Sequence, residues 1–317
     1  MILVTGANGF VGSAVVAAVV RRGERVRAAV RQTPLVVIPR AEYTIGPDLG
    51  AGGTWRPALT GVECVVHAAA RVHVMADSAA NPLAEFRRVN VAGTVQLARQ
   101  AAAEGVKRFV YISSIKVNGE RTEAGHPFHS ADQPAPKDAY GVSKLEAEIA
   151  LREVADSTGL EVVVIRPVLV YGPGVKANFL SMIRWIERGV PLPLGAVHNS
   201  RSLVAIDNLV DLINTCIHHP LAAGETFLVS DGEDLSTPQL LRRMGDAMKR
   251  TVRLVSVPIP ILTLGASVVG KRDYLERLCG SLQVDIDETR RLLDWTPPVS
   301  VDSALGLVAH DLYRFPD

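Results

Sequence analysis

The hydrophobic positions of this chain fall into two rhythms. Short runs rich in valine and isoleucine recur through the first two-thirds, at ILVT, RVRAAV, EYTI, ECVVHA, RFVYIS and EVVVIR. Such runs are apolar on both faces, the pattern of strands buried from two sides. Between several of them lie longer stretches with helical spacing, such as Gly12–Arg22 and Ala84–Glu104. Two-sided strands alternating with helices predict an α/β chain with a parallel sheet covered on both faces.

After Pro167 the rhythm changes. RPVLVYGPGVKANF is rich in proline and glycine, NFLSMIRWIERG predicts a helix, and PLPLG predicts a loop. RSLVAIDNLVDLINTCIHH followed by ETFLVS predicts a return to helix and strand, and the C-terminal remainder reads as helical pieces separated by prolines. The expected organisation is a sheet domain over 1–166 plus about 202–230. A smaller, mostly helical lobe is expected over about 167–201 plus 231–317, with more than one crossing between the two. The apolar segment Val257–Gly270 is too short to span a bilayer and carries two prolines near its start. It reads as a buried or peripheral helix, with a membrane-associated patch as the alternative.

Composition narrows the function classes. With 317 residues, 48% hydrophobic, the chain can bury a large core. A net charge of +1 implies no general attraction to nucleic acid or to an anionic membrane, so any anion must be held by a local site. Cys64, Cys216 and Cys279 are widely spaced, which fits a reducing compartment better than a disulfide framework. MILVTG at the start carries no leader pattern, so a cytoplasmic protein without a membrane span is expected. Eight histidines include HPFH and the pair His218–His219, but no ligand cluster accompanies them and no metal is expected.

Candidate chemistry begins at VTGANGFVGSAVVAAVVRRG, where Gly6, Gly9 and Gly12 lie between a strand and a helix. Glycines there let the backbone approach a pyrophosphate at the positive end of the helix, which points to dinucleotide binding; the alternative is a tight turn made for packing. An acid that would hold ribose hydroxyls is expected at the end of the second strand, yet Val30 stands there and Arg31 follows. An arginine can fork onto a 2′-phosphate, which favours NADP(H) with NAD(H) possible; a solvated surface arginine is the alternative. In DAYGVSKLEAE, Tyr140 and Lys144 lie one helical turn apart and can act on one bound molecule.

These motifs together resemble the extended short-chain dehydrogenase/reductase family, which includes nucleotide-sugar epimerases, dehydratases and 4-keto reductases. The matching pieces are TGANGFVG, VVHAAA, VNVAGT, YISSIKVNG, YGVSK and RPVLVYGPG, followed by NSRSLVAIDNLVDLI and RRLLDWTPP, in the family's order along nearly the whole chain. The resemblance implies a Rossmann-type doubly wound parallel sheet with a smaller, mostly helical C-terminal substrate lobe. It implies that Tyr140 is the acid/base, that Lys144 bonds the nicotinamide ribose and lowers the tyrosine's pKa, and that Ser114 polarises the same substrate oxygen. By the same resemblance the cofactor would be held by Gly6, Asn8, Gly9, Phe10, Val11, Gly12, Arg31, Asp48, Leu49, Ala68, Ala69, Ala70 and Pro167, besides the Tyr–Lys pair. Substrate would meet Ser113, Asn178, Pro193, Leu194 and Arg201. A helix N-cap competes for Asn178, and a salt bridge to Asp207 competes for Arg201.

The chain also departs from the family. Where dehydratases carry Asp-Glu it has Ile115 and Lys116, so dehydration is not expected; Asn118 replaces an aromatic, and Leu169 stands near an asparagine of many epimerases. Two readings remain. One is reduction of the 4-keto group of a nucleotide-linked, UDP-type 6-deoxy (N-acetyl)hexosamine for surface polysaccharide, which the overall pattern resembles most. The other is a UDP-sugar 4-epimerase with tightly held NAD. Steroid-like or flavonoid-like reductases and a redox sensor lie further off, the sensor because the Tyr–Lys pair is complete. The resemblance also implies a homodimer through the helices after VNVAGT and at YGVSK.

Overall fold

The computed structural model describes the chain apart from residues 33–36, 73–80, 124, 176, 269, 271 and 315–317, and apart from the side chains of 177, 178, 268, 273 and 314. Its strands are β1 (Ile2–Thr5), β2 (Val26–Val30), β3 (Glu42–Ile45), β4 (Cys64–His67), β5 (Arg108–Ile112), β6 (Glu161–Pro167), β7 (Leu169–Tyr171), β8 (Arg201–Ala205), β9 (Thr226–Val229) and β10 (Asp234–Leu235). The helices are α1 (Phe10–Arg21), α2 (Arg56–Leu59), α3 (Pro82–Phe86), α4 (Gly93–Ala103), α5 (Ala139–Thr158) and α6 (Ala177–Glu187). They continue with α7 (Ile206–His218), α8 (Thr237–Ala247), α9 (Ile259–Val268), α10 (Arg272–Cys279), α11 (Asp287–Leu293) and α12 (Val301–Arg314).

Seven strands form one sheet in the order β3-β2-β1-β4-β5-β6-β9, and every pairing in it is parallel. Neighbouring residues of the central strands face opposite cores. Val4, Val66, Val110 and Val163 pack toward Val15 and Val19 of α1 and Leu209 and Ile213 of α7. Leu3, Val65, Phe109 and Val162 pack toward Leu97 of α4 and Ala147 and Leu151 of α5. This two-sided burial, worth roughly 1.5–3 kcal/mol per large aliphatic side chain, is why the strands read as unbroken apolar runs. The sheet is therefore a doubly wound Rossmann-type α/β sheet. Its chain order reverses between β1 and β4, which places a crevice at their carboxyl ends.

β7, β8 and β10 make a small separate sheet. A third core gathers beside it around α6, α8 and α12, where Phe179, Met182, Leu241, Met244 and Leu305 surround Tyr171. The rings of Tyr171 and Phe179 stack at 5.3 Å.

Two elements differ from the sequence expectation. Ala84–Glu104, expected as one α-helix, is α3 and α4 joined by a π-helical turn at Arg87–Ala92. Asn90 sits in that turn, where its amide grips the strand β4 exit, and the wider turn lets it point inward. The segment Val257–Gly270 contains α9, which lies at the surface, with Leu262 reaching the third core.

Candidate active site

The crevice receives three chain turns, one each from the ends of β1, β4 and β5. After β1, Gly6 adopts φ +65°, a backbone state that favours glycine, and the Gly9 amide donates to its carbonyl at 2.8 Å. A Cβ on Gly12 would stand 2.1 Å from the Gly6 oxygen, so the helix start packs directly on the turn. α1 begins after Gly9 with no side-chain cap, and Asn8 and Gly9 are exposed. The first amides of α1 are thus left for an anion, and this cradle fits the pyrophosphate of a dinucleotide. Phe10 and Val11 lie half-buried in the first turn, and Val30 is buried at the end of β2 with Arg31 exposed beyond it. Asp48 is exposed and its carboxylate accepts from the Gly50 amide at 3.0 Å. Leu49 packs against the second core, and its carbonyl lies where a Cβ on Gly93 would come within 2.3 Å.

The β4 exit is held by a buried polar chain that the sequence reading missed. His67, fully buried, is hydrogen-bonded to Thr5 Oγ1 at 2.7 Å and to Thr94 Oγ1 at 3.0 Å. Thr5 Oγ1 accepts from the Ala69 amide at 3.3 Å, which fixes Ala68–Ala70 against the glycine turn. Burial, helped by the charge of Lys144, lowers the His67 pKa to about 3, so the ring is neutral. Asn90 makes a second polar set: its Oδ1 accepts from the Arg71 amide at 2.8 Å, and its Nδ2 donates to the Arg71 carbonyl and to Ser143 Oγ, each at 3.0 Å. Ser143 in turn donates to the Tyr140 carbonyl at 2.8 Å. The motif VNVAGT carried this signal, since both Asn90 and Thr94 belong to it.

Tyr140 and Lys144 sit in the first turns of α5. Asp138 caps that helix, accepting from the Gly141 amide at 2.7 Å, and also pairs with Lys116. A Cβ on Gly141 would fall 2.9 Å from the Lys116 carbonyl, so glycine is needed where α5 meets the turn carrying Ser114. The Tyr140 hydroxyl is hydrogen-bonded to Ser114. Lys144 Nζ donates to the Ile112 carbonyl at 2.8 Å and stands 4.6 Å from the centre of the Tyr111 ring and 5.8 Å from that of Tyr140. Burial lowers the Lys144 pKa to about 7 against the opposing charge of Glu148. Burial and Asp138 raise the Tyr140 pKa, while the Ser114 hydrogen bond lowers it.

Beneath this trio lies a second feature unseen in the sequence. Glu148, one turn beyond Lys144, accepts from Arg166 Nη2 at 2.6 Å and from Nε at 3.0 Å, and Ser113 Oγ donates to it. Arg166 Nη1 donates to Asn118 Oδ1 at 2.9 Å, and Asn118 Nδ2 donates to the His129 carbonyl at 2.9 Å. All four side chains are buried. Ser113 therefore faces the scaffold, where a substrate contact was expected. The one readable signal was spacing, since Tyr140, Lys144 and Glu148 share one face of a helix.

The remaining expected residues are more dispersed. Pro167 ends β6 and is buried; Asn178 opens α6 with its side chain outside the described residues. Pro193 is exposed, whereas the Leu194 side chain is buried in the third core and offers a ligand only its backbone. Arg201 Nη1 donates to the carbonyls of Arg277 at 2.7 Å and Gly280 at 2.9 Å, so the expected alternative partner Asp207 is replaced by the end of α10. Among the described residues no group of His, Cys, Asp or Glu could hold a metal, and no helix is long and apolar enough to cross a membrane.

A parallel sheet with a glycine-rich first turn, and a serine, tyrosine and lysine gathered at its crevice, define a dinucleotide-dependent enzyme fold. The family model for the NAD dependent epimerase/dehydratase family matches residues 2–230, and the chain belongs to that family. Among relatives, it is 48% identical to the UDP-glucose 4-epimerase of Vibrio cholerae, over 97% of this chain and 94% of the relative. It is 28% identical to the GDP-6-deoxy-D-mannose reductase of Pseudomonas aeruginosa, over 98% and 96% of the two chains. The crystal structure of the Thermotoga maritima UDP-glucose 4-epimerase with UDP-glucose shares the fold, with TM-score 0.79 and 21% identity over 99% of this chain and 98% of that one.

Proposed function

We propose that this protein is a UDP-hexose 4-epimerase. The observation that carries this reading is the 48% identity, along almost the whole of both chains, to the Vibrio cholerae UDP-glucose 4-epimerase. It moves the balance away from the 4-keto reductase that the sequence pattern alone resembled.

In this reading the turn at Gly6–Gly12 holds the pyrophosphate of NAD(P), with Ala68–Ala70 lining the opposite wall and Lys144 beside the ribose. Bound NAD(P) supplies the acceptor for hydride from C4 and its donor on return. Tyr140 Oη takes the proton of the C4 hydroxyl as hydride leaves; once the 4-keto sugar has turned over, hydride returns to the opposite face of C4 and Tyr140 gives the proton back to the same oxygen. Ser114 Oγ, on the same oxygen, donates a hydrogen bond that strengthens as charge develops there. Ile115 and Lys116 supply no carboxylate for water removal, which argues against dehydration.

Reduction of a UDP-linked 4-keto-6-deoxy sugar by NADPH is the second reading. Exposed Arg31 after Val30, with no acid in that place, supports it, as does the similarity to the GDP-6-deoxy-D-mannose reductase. The test is incubation with UDP-glucose and with UDP-N-acetylglucosamine, following the 4-epimers chromatographically, with Tyr140→Phe alongside. Interconversion without net change in nicotinamide absorbance, lost in the variant, is expected. No interconversion, together with NADPH consumption matched to product from a UDP-4-keto-6-deoxy-N-acetylhexosamine, would replace the epimerase with the reductase.

A further inference from the structure

The stretch 247–272 holds five basic residues, Lys249, Arg250, Arg253, Lys271 and Arg272, and no acidic one, although the whole chain has a net charge of only +1. The remainder is therefore net negative, and the positive charge is local. Within the same stretch lie Val255, Ile259, Ile261 and Leu264, with relative exposures of 48%, 41%, 60% and 70%. Val190, 45% exposed, stands on the adjoining loop, because Leu192 N–H donates to the Arg253 carbonyl and Val255 N–H to the Leu192 carbonyl, both at 2.8 Å. Lys249, Arg250, Arg253 and Arg272 are exposed as well, Arg272 being paired with Glu276 at 3.0 Å. α9 thus presents aliphatic side chains to water beside the exposed cations Lys249, Arg250 and Arg253, and a soluble surface helix would carry polar residues in their place.

We propose that this face docks the protein on an anionic lipid surface. An apolar helix beside basic residues fits such an interface: the side chains of Ile259, Ile261 and Leu264 enter the boundary below the headgroups. Lys249, Arg250 and Arg253 beside them meet anionic phosphates. Loop 249–255 is already fastened to Leu192, so the patch is built before any lipid arrives. α10, which packs on α9, supplies the carbonyl that holds Arg201. The docked face therefore lies one helix away from that arginine.

Flotation of the purified full chain with vesicles containing about one-third phosphatidylglycerol in phosphatidylcholine, against pure phosphatidylcholine, reads this directly and needs no sugar substrate. Binding to the anionic vesicles is expected, about fivefold weaker for Arg253→Gln and at least about tenfold weaker for Ile261→Ser/Leu264→Ser. Raising salt from about 0.1 M to about 0.5 M should weaken it several-fold. Both variants should keep the melting temperature and the turnover of a soluble substrate, because the altered side chains stand in water. Failure of the wild type to float with anionic vesicles, or unchanged flotation of Ile261→Ser/Leu264→Ser, overturns the proposal. So does a wild type that ignores vesicles but whose oligomer falls apart in that variant, an outcome that would make the face a contact between copies.

Discussion

The Arg166–Glu148 pair makes the strongest claim on stability. Both side chains are almost fully buried, at 2% and 1% exposure, and the carboxylate also receives Ser113. Glu148→Gln keeps shape and volume but removes the only opposite charge that the described structure pairs with Arg166. A buried ion stripped of its partner costs about 3–5 kcal/mol, a large part of a typical folding free energy of about 5–15 kcal/mol. Urea unfolding followed by far-UV circular dichroism should show that loss at pH 8, with an unchanged slope. The double variant Glu148→Leu/Arg166→Met should recover most of it, since neither charge is then buried alone. The same change has a second signature. Glu148 is the charge that holds up the Lys144 pKa, so in Glu148→Gln that pKa falls below about 7 and the alkaline limb of activity moves to lower pH. A loss under about 1 kcal/mol, or a double variant as unstable as the single, would refute the assignment.

Other expectations follow from the same geometry. His67 titrates near 6.5 unfolded but at about 3 folded, so its contribution is complete above pH 6.5 and is lost as pH falls toward 3, at about 1.4 kcal/mol per pH unit. The stability difference between wild type and His67→Gln should shrink with that slope on acidification, measured by denaturant titration at several pH values; a pH-independent difference would contradict it. Arg31→Ala should weaken NADP(H) about tenfold or more and leave NAD(H) unchanged by calorimetry, whereas equal effects on both would make Arg31 a bystander. In Gly12→Ala the new methyl meets the Gly6 carbonyl, so dinucleotide affinity should fall at least about tenfold with about 1–3 kcal/mol of stability. A groove of about 810 Å³ along α3, the π-helical turn and α4, lined by Leu83, Val91 and Val95, is where a second copy is expected to pack. Val95→Asp should halve the mass seen by light scattering; an unchanged mass would place any dimer contact elsewhere.

How much could be read beforehand depended on how local the physics was. The central strands were legible because they are buried on both faces, and the glycine turn and the Tyr140–Lys144 pair because both are short-range patterns. The cluster of Glu148, Arg166, Asn118 and Ser113 was not, since its members come from segments far apart in sequence and meet only where α5 packs beside the paired β5 and β6. Arg201 was expected on substrate, with Asp207 as the alternative partner, whereas the carbonyls of Arg277 and Gly280 receive it. The π-turn left no mark in hydrophobic spacing because its cause is one inward amide, Asn90. α9 could not be placed from its pattern, since a helix apolar all round has no periodic face to orient it.

The strand order has a consequence for how this chain can be made and divided. β9 completes the sheet beside β6, yet β7, β8, α6 and α7 are all translated between them. Until β9 emerges from the ribosome, the whole length of β6 is an open edge, able to pair with another nascent chain. A gene truncated anywhere between β6 and β9 would therefore yield an aggregating product. The molecule is separable on paper into two lobes but inheritable only as a whole.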